Sequence, residues 1–121
     1  ELDRLKKMKF ASATLEVKGE KVPFDNRKHE IIIFRIIQEF LSNSVKYSKA
    51  KHLKILLQYE PDYLKIVATD DGIGFNKDTV EKGSGLINME SRALLIHAKL
   101  KLESKINEGV QLTIDYPFKS N

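Results

Sequence analysis

One long amphipathic segment, residues 27–47, constrains the fold of this chain more than any other feature. Its apolar residues recur at the spacing of one helix face and form a wide stripe. The predicted stripe consists of Ile31, Ile32, Phe34, Ile36, Ile37, Phe40, Leu41, Ser44 and Val45. Asp25 or Asn26 can cap the start of the helix by accepting a backbone N–H. We therefore expect a helix that is largely buried on one side.

Alternating apolar residues predict five strands around this helix. Residues 53–59 and 63–69 are separated only by Glu60-Pro61-Asp62, which predicts a hairpin. The other predicted strands are residues 10–17 (with Ala11, Ala13, Leu15 and Val17 on one side), 100–103 and 110–114. A second helix is predicted over residues 86–98, with apolar contacts from Leu86, Met89, Ala93, Leu94 and Ile96. These elements indicate an α+β fold, a two-layer sandwich whose mixed, mostly antiparallel sheet is covered by helices on one face.

The composition indicates a single domain. The 121 residues suffice for one domain but not for two, and we assign residues 10–121 to it, with residues 1–9 as the end of a preceding polar helix. The absence of cysteine excludes disulfides and thiolate chemistry. No apolar run approaches the roughly 20 residues of a membrane helix. The net charge of +4 comes from Lys and Glu mixed along the chain, which favours a solvated surface over a nucleic-acid-binding patch.

The first of two glycine-bearing segments, residues 70–75, directly follows a predicted strand. A carboxylate at Asp70 can accept a hydrogen bond from the amino group of adenine, whereas the carbonyl of guanine at that point would repel it. Gly72 and Gly74 let the backbone approach a ligand closely. For Asp71 we favour a local role, as a turn side chain that hydrogen-bonds its own backbone.

The second segment, Gly83-Ser84-Gly85, immediately precedes the second predicted helix. Free backbone N–H groups at a helix start can bind phosphate oxygens. The alternative is an ordinary loop in which Ser84 caps the helix. The segment is not a P-loop, because the Gly-Lys-Ser/Thr ending is missing. It is not a dinucleotide fingerprint either, because no βαβ pattern surrounds it.

Four polar residues share one face of the long helix. Glu39, Asn43, Lys46 and Tyr47 lie at positions i, i+4, i+7 and i+8. The amide oxygen of Asn43 suits Mg²⁺, the ammonium of Lys46 suits phosphate, and the carboxylate of Glu39 can hold a water or accept a proton. Taken alone, the pattern is more typical of a solvated face stabilised by neighbouring side chains.

Taken in order, these motifs resemble the ATP-binding catalytic domain of sensor histidine kinases, in the superfamily shared with gyrase, heat-shock chaperone and mismatch-repair ATPases. Residues 35–47 resemble its N box, residues 70–75 its G1 box and residues 83–93 its G2 box with the helix that follows. Residues 108–110, which precede a strand, resemble its last glycine motif. The short segment between Phe75 and Gly83 is similar to the short ATP lid of the nitrate-sensor and membrane-fluidity-sensor branch.

The resemblance implies a role for each matching residue, with ATP and Mg²⁺ as cofactors. Asn43 would ligate Mg²⁺, and Glu39 would act as base or water holder. Lys46 would contact phosphate, and Tyr47 would line the nucleotide pocket. Asp70 would bind the adenine amino group in a pocket shaped by Gly72 and Gly74. Gly83 and Gly85 would form the hinge of the ATP lid and contact the phosphates. Leu86 would lie beside them in the nucleotide site.

The chain departs from the family pattern at three places. Asp71 stands where Asn is commoner, which adds a negative charge near the site. Val110 stands where Thr is usual, which removes a hydroxyl near the nucleotide. His97-Ala98 replaces the usual Gly-Gly after the last helix.

The implied chemistry is phosphoryl transfer from ATP to a histidine. His29 precedes an acid, as an acceptor would, but lies fourteen residues before Asn43 on the same predicted helix, roughly 21 Å away. His52 and His97 are expected on the surface. We therefore expect the acceptor on an upstream dimerisation module, with a response regulator as a further partner. We also expect the domain to be cytoplasmic and monomeric, and to contact neither nucleic acid nor the membrane directly. Whether the parent protein is anchored in a membrane is left open.

Three alternatives remain at this point. The fold can hold ATP as a binding module without efficient transfer, which the Val110 substitution and the short lid leave open. A serine kinase of the anti-sigma-factor type shares these boxes. The third alternative, a basic nucleic-acid-binding domain, is supported only by the net positive charge.

Overall fold

The computed structural model of the protein describes residues 13–24, 26–44, 52–72, 84–105 and 109–118. Within these ranges the chain forms five strands and two helices. In chain order they are β1 (Ala13–Lys18), α1 (Arg27–Asn43), β2 (Leu53–Tyr59), β3 (Tyr63–Asp70), α2 (Ser84–Leu95), β4 (Lys99–Lys105) and β5 (Gly109–Pro117). The predicted tail at residues 1–9, the start of the first predicted strand at residues 10–12 and the predicted extension of α1 to Tyr47 lie outside the described residues.

The strands form one sheet in the order β1-β2-β3-β5-β4. β1 runs parallel to β2, and the other three pairs are antiparallel. Adjacent parallel strands need a crossover connection, and α1 supplies part of it between β1 and β2. The predicted hairpin of β2 and β3 is present, and the N–H of Glu60 closes its turn on the carbonyl of Tyr63 at 2.9 Å. The predicted α+β fold with a mixed, mostly antiparallel sheet is confirmed.

The core lies between the helices and one face of the sheet. Alternate residues of β3 point into it, and the residues between them face the other side. The buried apolar residues of the sheet are Leu53, Ile55, Leu57, Tyr59, Leu64, Ile66, Ala68, Leu102, Val110, Leu112, Ile114 and Tyr116. Antiparallel sheets commonly leave one face to solvent in this way. The prediction of helices on a single face therefore agrees with the burial pattern.

The buried face of α1 is centred differently from the predicted stripe. Ile33 is fully buried but was not among the predicted contacts, whereas Ile31 is 37% exposed. These two residues lie about 200° apart around the helix axis, because each residue turns it by about 100°. The remaining described stripe residues are buried or partly buried, namely Ile32, Phe34, Ile36, Ile37, Phe40, Leu41 and Ser44.

One further predicted contact, that of Leu94, is wrong. In α2, Met89, Ala93 and Ile96 are buried at helical spacing, but Leu94 is 77% exposed because it lies about 100° around the helix from Ala93. In β1, Leu15 packs against the core, but Val17 is 47% exposed. β1 is an edge strand with a neighbour on one side only, so its outer side chains are covered less than those of central strands.

Aromatic side chains close one end of the sheet, which we call the aromatic end. They are Phe24, Tyr59, Tyr116 and Phe118, with ring centroids 5.2–6.3 Å apart in the contacting pairs. His29, in the first turn of α1, joins them, and its Nδ1 is hydrogen-bonded to the Tyr116 hydroxyl at 2.8 Å. Asn26 caps α1 as predicted, since its side chain accepts the N–H of Lys28 at 2.9 Å. The start of α1 is therefore fixed at the aromatic end.

The end of α2 is a turn in which His97 takes the position that glycine usually occupies. The N–H of Ala98 donates to the carbonyl of Ala93 at 2.9 Å, and the N–H of His97 donates to the carbonyl of Leu94 at 3.2 Å. This is the Schellman pattern, whose left-handed residue is commonly glycine. His97 has a φ of 59°. The His97-Ala98 departure therefore keeps the usual helix end at a cost in backbone strain.

We predict that His97→Gly stabilises the protein by about 1 kcal/mol, because glycine adopts a left-handed conformation without the clash of a Cβ. Urea unfolding of the two proteins measures this difference. His97→Ala is the matched control and should not be stabilised, because alanine keeps the Cβ. Equal stabilisation by alanine and glycine would show that the imidazole, and not the backbone, is responsible.

Candidate nucleotide-binding site

Asp70 ends β3 as a buried carboxylate, only 7% exposed. It lies between Leu53 of β2 and Val110 of β5 in the sheet register. Its Oδ1 accepts the backbone N–H of Gly72 at 2.9 Å and that of Val110 at 3.2 Å. Hydrogen bonds to an ionised group are stronger than neutral ones, so these two donors fix the carboxylate in the turn.

β5 begins directly against Asp70. Gly109 has a φ of +87°, and a Cβ placed on it would lie 2.2 Å from the carbonyl oxygen of Asp70. Val110 is 3% exposed. The sequence analysis assigned neither residue a role in the site, although it expected Val110 to lie near the nucleotide. The signal that could have placed them there is a glycine immediately before an alternating strand, which is typical of a close backbone approach.

Two predicted site residues, Glu39 and Asn43, lie near the end of α1. They lie four residues apart and so share one face of the helix. Asn43 is 8% exposed, and Glu39 is partly buried. The helical conformation continues through Ser44, whose N–H donates to the carbonyls of Phe40 and Leu41. The Asn43 side chain is therefore carried on a helical turn and is largely buried.

The last turn of α1 and the end of β3 are directed towards the same end of the sheet, which we call the Asp70 end. α1 starts at the aromatic end and has 17 residues, so it extends about 25 Å. β3 has 8 residues and extends about as far, from the aromatic end to Asp70. The last residues of α1, including Asn43, therefore reach towards the Asp70 end.

The orientation of α2 follows from the strand after it. β4 begins at Lys99, which pairs with Asp115 beside the aromatic end. Because α2 ends close to that point, its start is directed towards the Asp70 end. Gly85 and Leu86 lie in its first turn. The N–H groups of a first turn have no partner within the helix, so they can donate to a ligand. Whether phosphate binds there remains a prediction.

The other predicted site residues divide into two groups. Gly72 lies in the described turn, where its N–H holds Asp70. Lys46, Tyr47, Gly74 and Gly83 lie outside the described residues. Asp70 makes a bond of the kind expected for Asp71, since it accepts the N–H two residues on. The corresponding partner of Asp71, residue 73, lies outside the described residues. The carboxylate of Asp71 accepts the N–H of His52, at the start of β2.

The three histidines occupy separate places. His29 is bonded to Tyr116 at the aromatic end, so it lies at the opposite end of α1 from Asn43. His52 and His97 are exposed, as predicted. Within the described ranges, no group of three or more His, Cys, Asp or Glu side chains could hold a metal ion. No helix in this part of the chain is long and apolar enough to span a membrane.

Residues 28–120 match the family described as histidine kinase-, DNA gyrase B-, and HSP90-like ATPase. The chain therefore belongs to this family, and it is an ATP-binding domain of the kind that the family defines. The sequence resemblance to this ATPase superfamily is thereby confirmed.

The chain is similar to two curated histidine kinases. It is 36% identical over 129 residues to an uncharacterized sensor-like histidine kinase of Chloroflexus aurantiacus, covering 98% of this chain and 21% of that protein. It is 33% identical over 102 residues to the signal transduction histidine-protein kinase/phosphatase DegS of Brevibacillus brevis, covering 83% of this chain and 25% of that protein. The chain therefore spans about a quarter or less of the length of these two relatives.

A solved structure supports the fold. The ATP binding domain of PrrB from Mycobacterium tuberculosis superposes with a TM-score of 0.68 at 18% identity, covering 98% of this chain and 88% of that one. Similarity at this level of identity concerns the fold alone. It agrees with the five-stranded mixed sheet and two helices described above.

We predict that Gly109→Ala destabilises the protein by about 2 kcal/mol or more, because it combines a left-handed backbone with a clash against the Asp70 carbonyl. Thermal unfolding measures the loss of stability, and calorimetry with ATP measures whether the site survives. Gln111→Ala, at an exposed position of the same strand, is the control and should leave the unfolding temperature close to that of the wild-type protein. An unchanged unfolding temperature for Gly109→Ala would contradict the tight approach of β5 to Asp70.

Proposed function

We propose that this chain is the ATP-binding catalytic domain of a sensor histidine kinase. In this proposal the γ-phosphoryl group of ATP passes to a histidine on an upstream dimerisation module, and a response regulator then receives it. The observation that carries the proposal is the buried Asp70 carboxylate at the end of β3, which the backbone N–H groups of Gly72 and Val110 hold in place. A cytoplasmic location is part of the proposal, because the domain needs access to ATP.

Recognition of the nucleotide base is assigned to Asp70. A carboxylate is a hydrogen-bond acceptor only, so it suits the amino group of adenine and not the carbonyl of guanine. The Asp70 carboxylate is oriented by Gly72 and Val110, whose backbone N–H groups donate to its Oδ1. Gly72 and Gly74 are assigned to the wall of this pocket. The family's ATP-binding character supports this assignment.

The phosphates are assigned to the region between α1 and α2. Gly85 and Leu86 contribute first-turn N–H groups, and the positive end of the helix dipole favours the anion. Gly83 is assigned to the hinge of a lid over the nucleotide, Lys46 to a phosphate contact and Tyr47 to the wall of the pocket. The assignments of Gly83, Lys46 and Tyr47 follow the family resemblance.

The Asn43 side chain fits Mg²⁺. Its amide oxygen is a hard ligand, and it lies at the last turn of α1 with 8% exposure. Mg²⁺ in phosphate-transfer sites commonly takes one or two protein ligands and completes its shell with waters and phosphates. When bound, the ion would neutralise charge on the triphosphate. Glu39, one turn earlier on the same face, would hold a water or accept the proton of the attacking histidine.

The acceptor histidine is assigned to another module because of where the histidines of this chain lie. His29 is about 21 Å along α1 from Asn43 and is hydrogen-bonded to Tyr116. His52 interacts with Asp71, and His97 holds the left-handed turn after α2. The similarity to longer histidine kinases supports the same assignment.

We expect ATP to bind more tightly than GTP by on the order of 10–100-fold, because an amino donor is replaced by a repelled carbonyl. Isothermal titration calorimetry with each nucleotide and Mg²⁺ measures this ratio. Asp70→Asn should reduce it, since an amide nitrogen then faces the adenine amino group. Asp62→Asn, in the exposed turn before β3, is the matched control. Equal affinity of the wild-type protein for ATP and GTP would remove Asp70 from its assigned role.

We expect acid-labile phosphate on the upstream module when the chain is joined to it and given ATP and Mg²⁺, because phosphohistidine is hydrolysed in acid. Asn43→Ala should abolish the product, and its Mg²⁺-dependent ATP affinity should be lost as well. An acid-stable product on a separate protein would favour a serine kinase. ATP binding without any transfer would favour a binding module, and either result contradicts the proposal.

A further inference from the structure

The hydrogen bonds of Asp70 and Asp71 lead to different parts of the chain. Oδ1 of Asp70 accepts from the turn and from β5. Oδ1 of Asp71 accepts the backbone N–H of His52 at 2.8 Å, and the N–H of Asp71 donates to the carbonyl of His52 at 3.2 Å. Residues 52 and 71 thus exchange two hydrogen bonds, one position beyond the Leu53–Asp70 pair that ends the β2–β3 ladder. We call this pair of bonds the 52–71 clamp.

The charge of Asp71 contributes little to the 52–71 clamp. Nε2 of His52 lies 4.0 Å from Oδ2 of Asp71, and the two side chains are 70% and 46% exposed. Ion pairs that are this exposed and this long contribute little to stability. The short bond from the His52 backbone to Oδ1 is therefore the stronger of these two contacts between the Asp71 side chain and His52.

The clamp joins the two parts of the chain that carry the predicted adenine and phosphate contacts. His52 is the residue at which the chain enters β2 after residues 45–51, which include Lys46 and Tyr47. Asp71 is the residue from which it continues to Gly72 and Gly74. A displacement of residue 71 would also move Gly72, whose N–H orients the Asp70 carboxylate.

We propose that Asp71 is a positioning residue of the nucleotide site, which it serves through the hydrogen bond of its side chain to the His52 backbone and not through its charge. Its side chain holds residue 71 to the start of β2 and thereby fixes the position of the Gly72 N–H, which donates to Asp70. The orientation of the Asp70 carboxylate towards the base depends on this position. The inference rests on the proposed ATP site and adds the residue that determines its geometry.

Three variants separate the hydrogen bond from the charge. Asp71→Asn keeps an oxygen acceptor at the same distance and removes the charge, so we expect wild-type affinity and wild-type discrimination between ATP and GTP. Asp71→Glu keeps the charge and displaces the carboxylate by one methylene group. Asp71→Glu and Asp71→Ala should both bind ATP about five-fold more weakly, as for the loss of one hydrogen bond, and discriminate less between ATP and GTP. Asp62→Ala is the control for a surface aspartate.

The measurement is calorimetry with ATP and GTP, alongside thermal unfolding without nucleotide. Failure of the wild-type protein to bind ATP would overturn the proposed function, and the inference with it. If the wild-type protein binds, the inference alone is overturned by either of two results. One is that Asp71→Glu behaves like wild type while Asp71→Asn does not. The other is that stability falls without any change in the ATP-to-GTP ratio. Asp71→Asn and Asp71→Glu decide the question even if Asp71→Ala does not fold.

Discussion

The packing of the buried α1 face against the sheet is the constraint on which the rest of the structure depends. Ile33, Ile36, Ile37 and Phe40 are at most 1% exposed, and they fix both the rotation and the position of the helix. The His29–Tyr116 bond fixes its start at the aromatic end. With both set, the last turn of α1 carries Asn43 towards the Asp70 end. The hydrophobic core thus determines where the polar residues at the end of the helix lie.

The Asp70 end is built largely from backbone groups. The N–H groups of Gly72 and Val110 hold Asp70, and the His52 backbone holds Asp71. Gly109 is required because its neighbour is a carbonyl oxygen, which cannot move aside for a methyl group as a flexible side chain can. Backbone donors in a sheet are already in place before a ligand arrives, so little reorganisation is needed to present the carboxylate to a base. This arrangement is suited to selecting one nucleotide over another.

The sequence was sufficient to predict the strands, both helices and the mixed sheet, because short-range patterns of apolar residues report them directly. The order of the motifs, which matches a known family, also led to Asn43 and Asp70 as predicted site residues, and that assignment stays a prediction. The sequence did not indicate which face of α1 is most deeply buried, because Ile31, Ile32 and Ile33 are consecutive isoleucines that hydrophobicity alone cannot rank. The bonds from Asp71 to His52 and from Val110 to Asp70 were also missed, because they depend on strand register across 19 and 40 residues.

We propose that a nucleotide binds at the Asp70 end, towards which the last turn of α1 and the first turn of α2 are directed. The most direct measurement is an NMR titration of the backbone amides of the chain with ATP and Mg²⁺. We predict large chemical-shift changes at Asn43, Gly72, Gly85 and Val110, and little change at His29, Tyr59 and Phe118 of the aromatic end. Changes centred on the aromatic end, with Gly72 and Val110 unaffected, would contradict the claim.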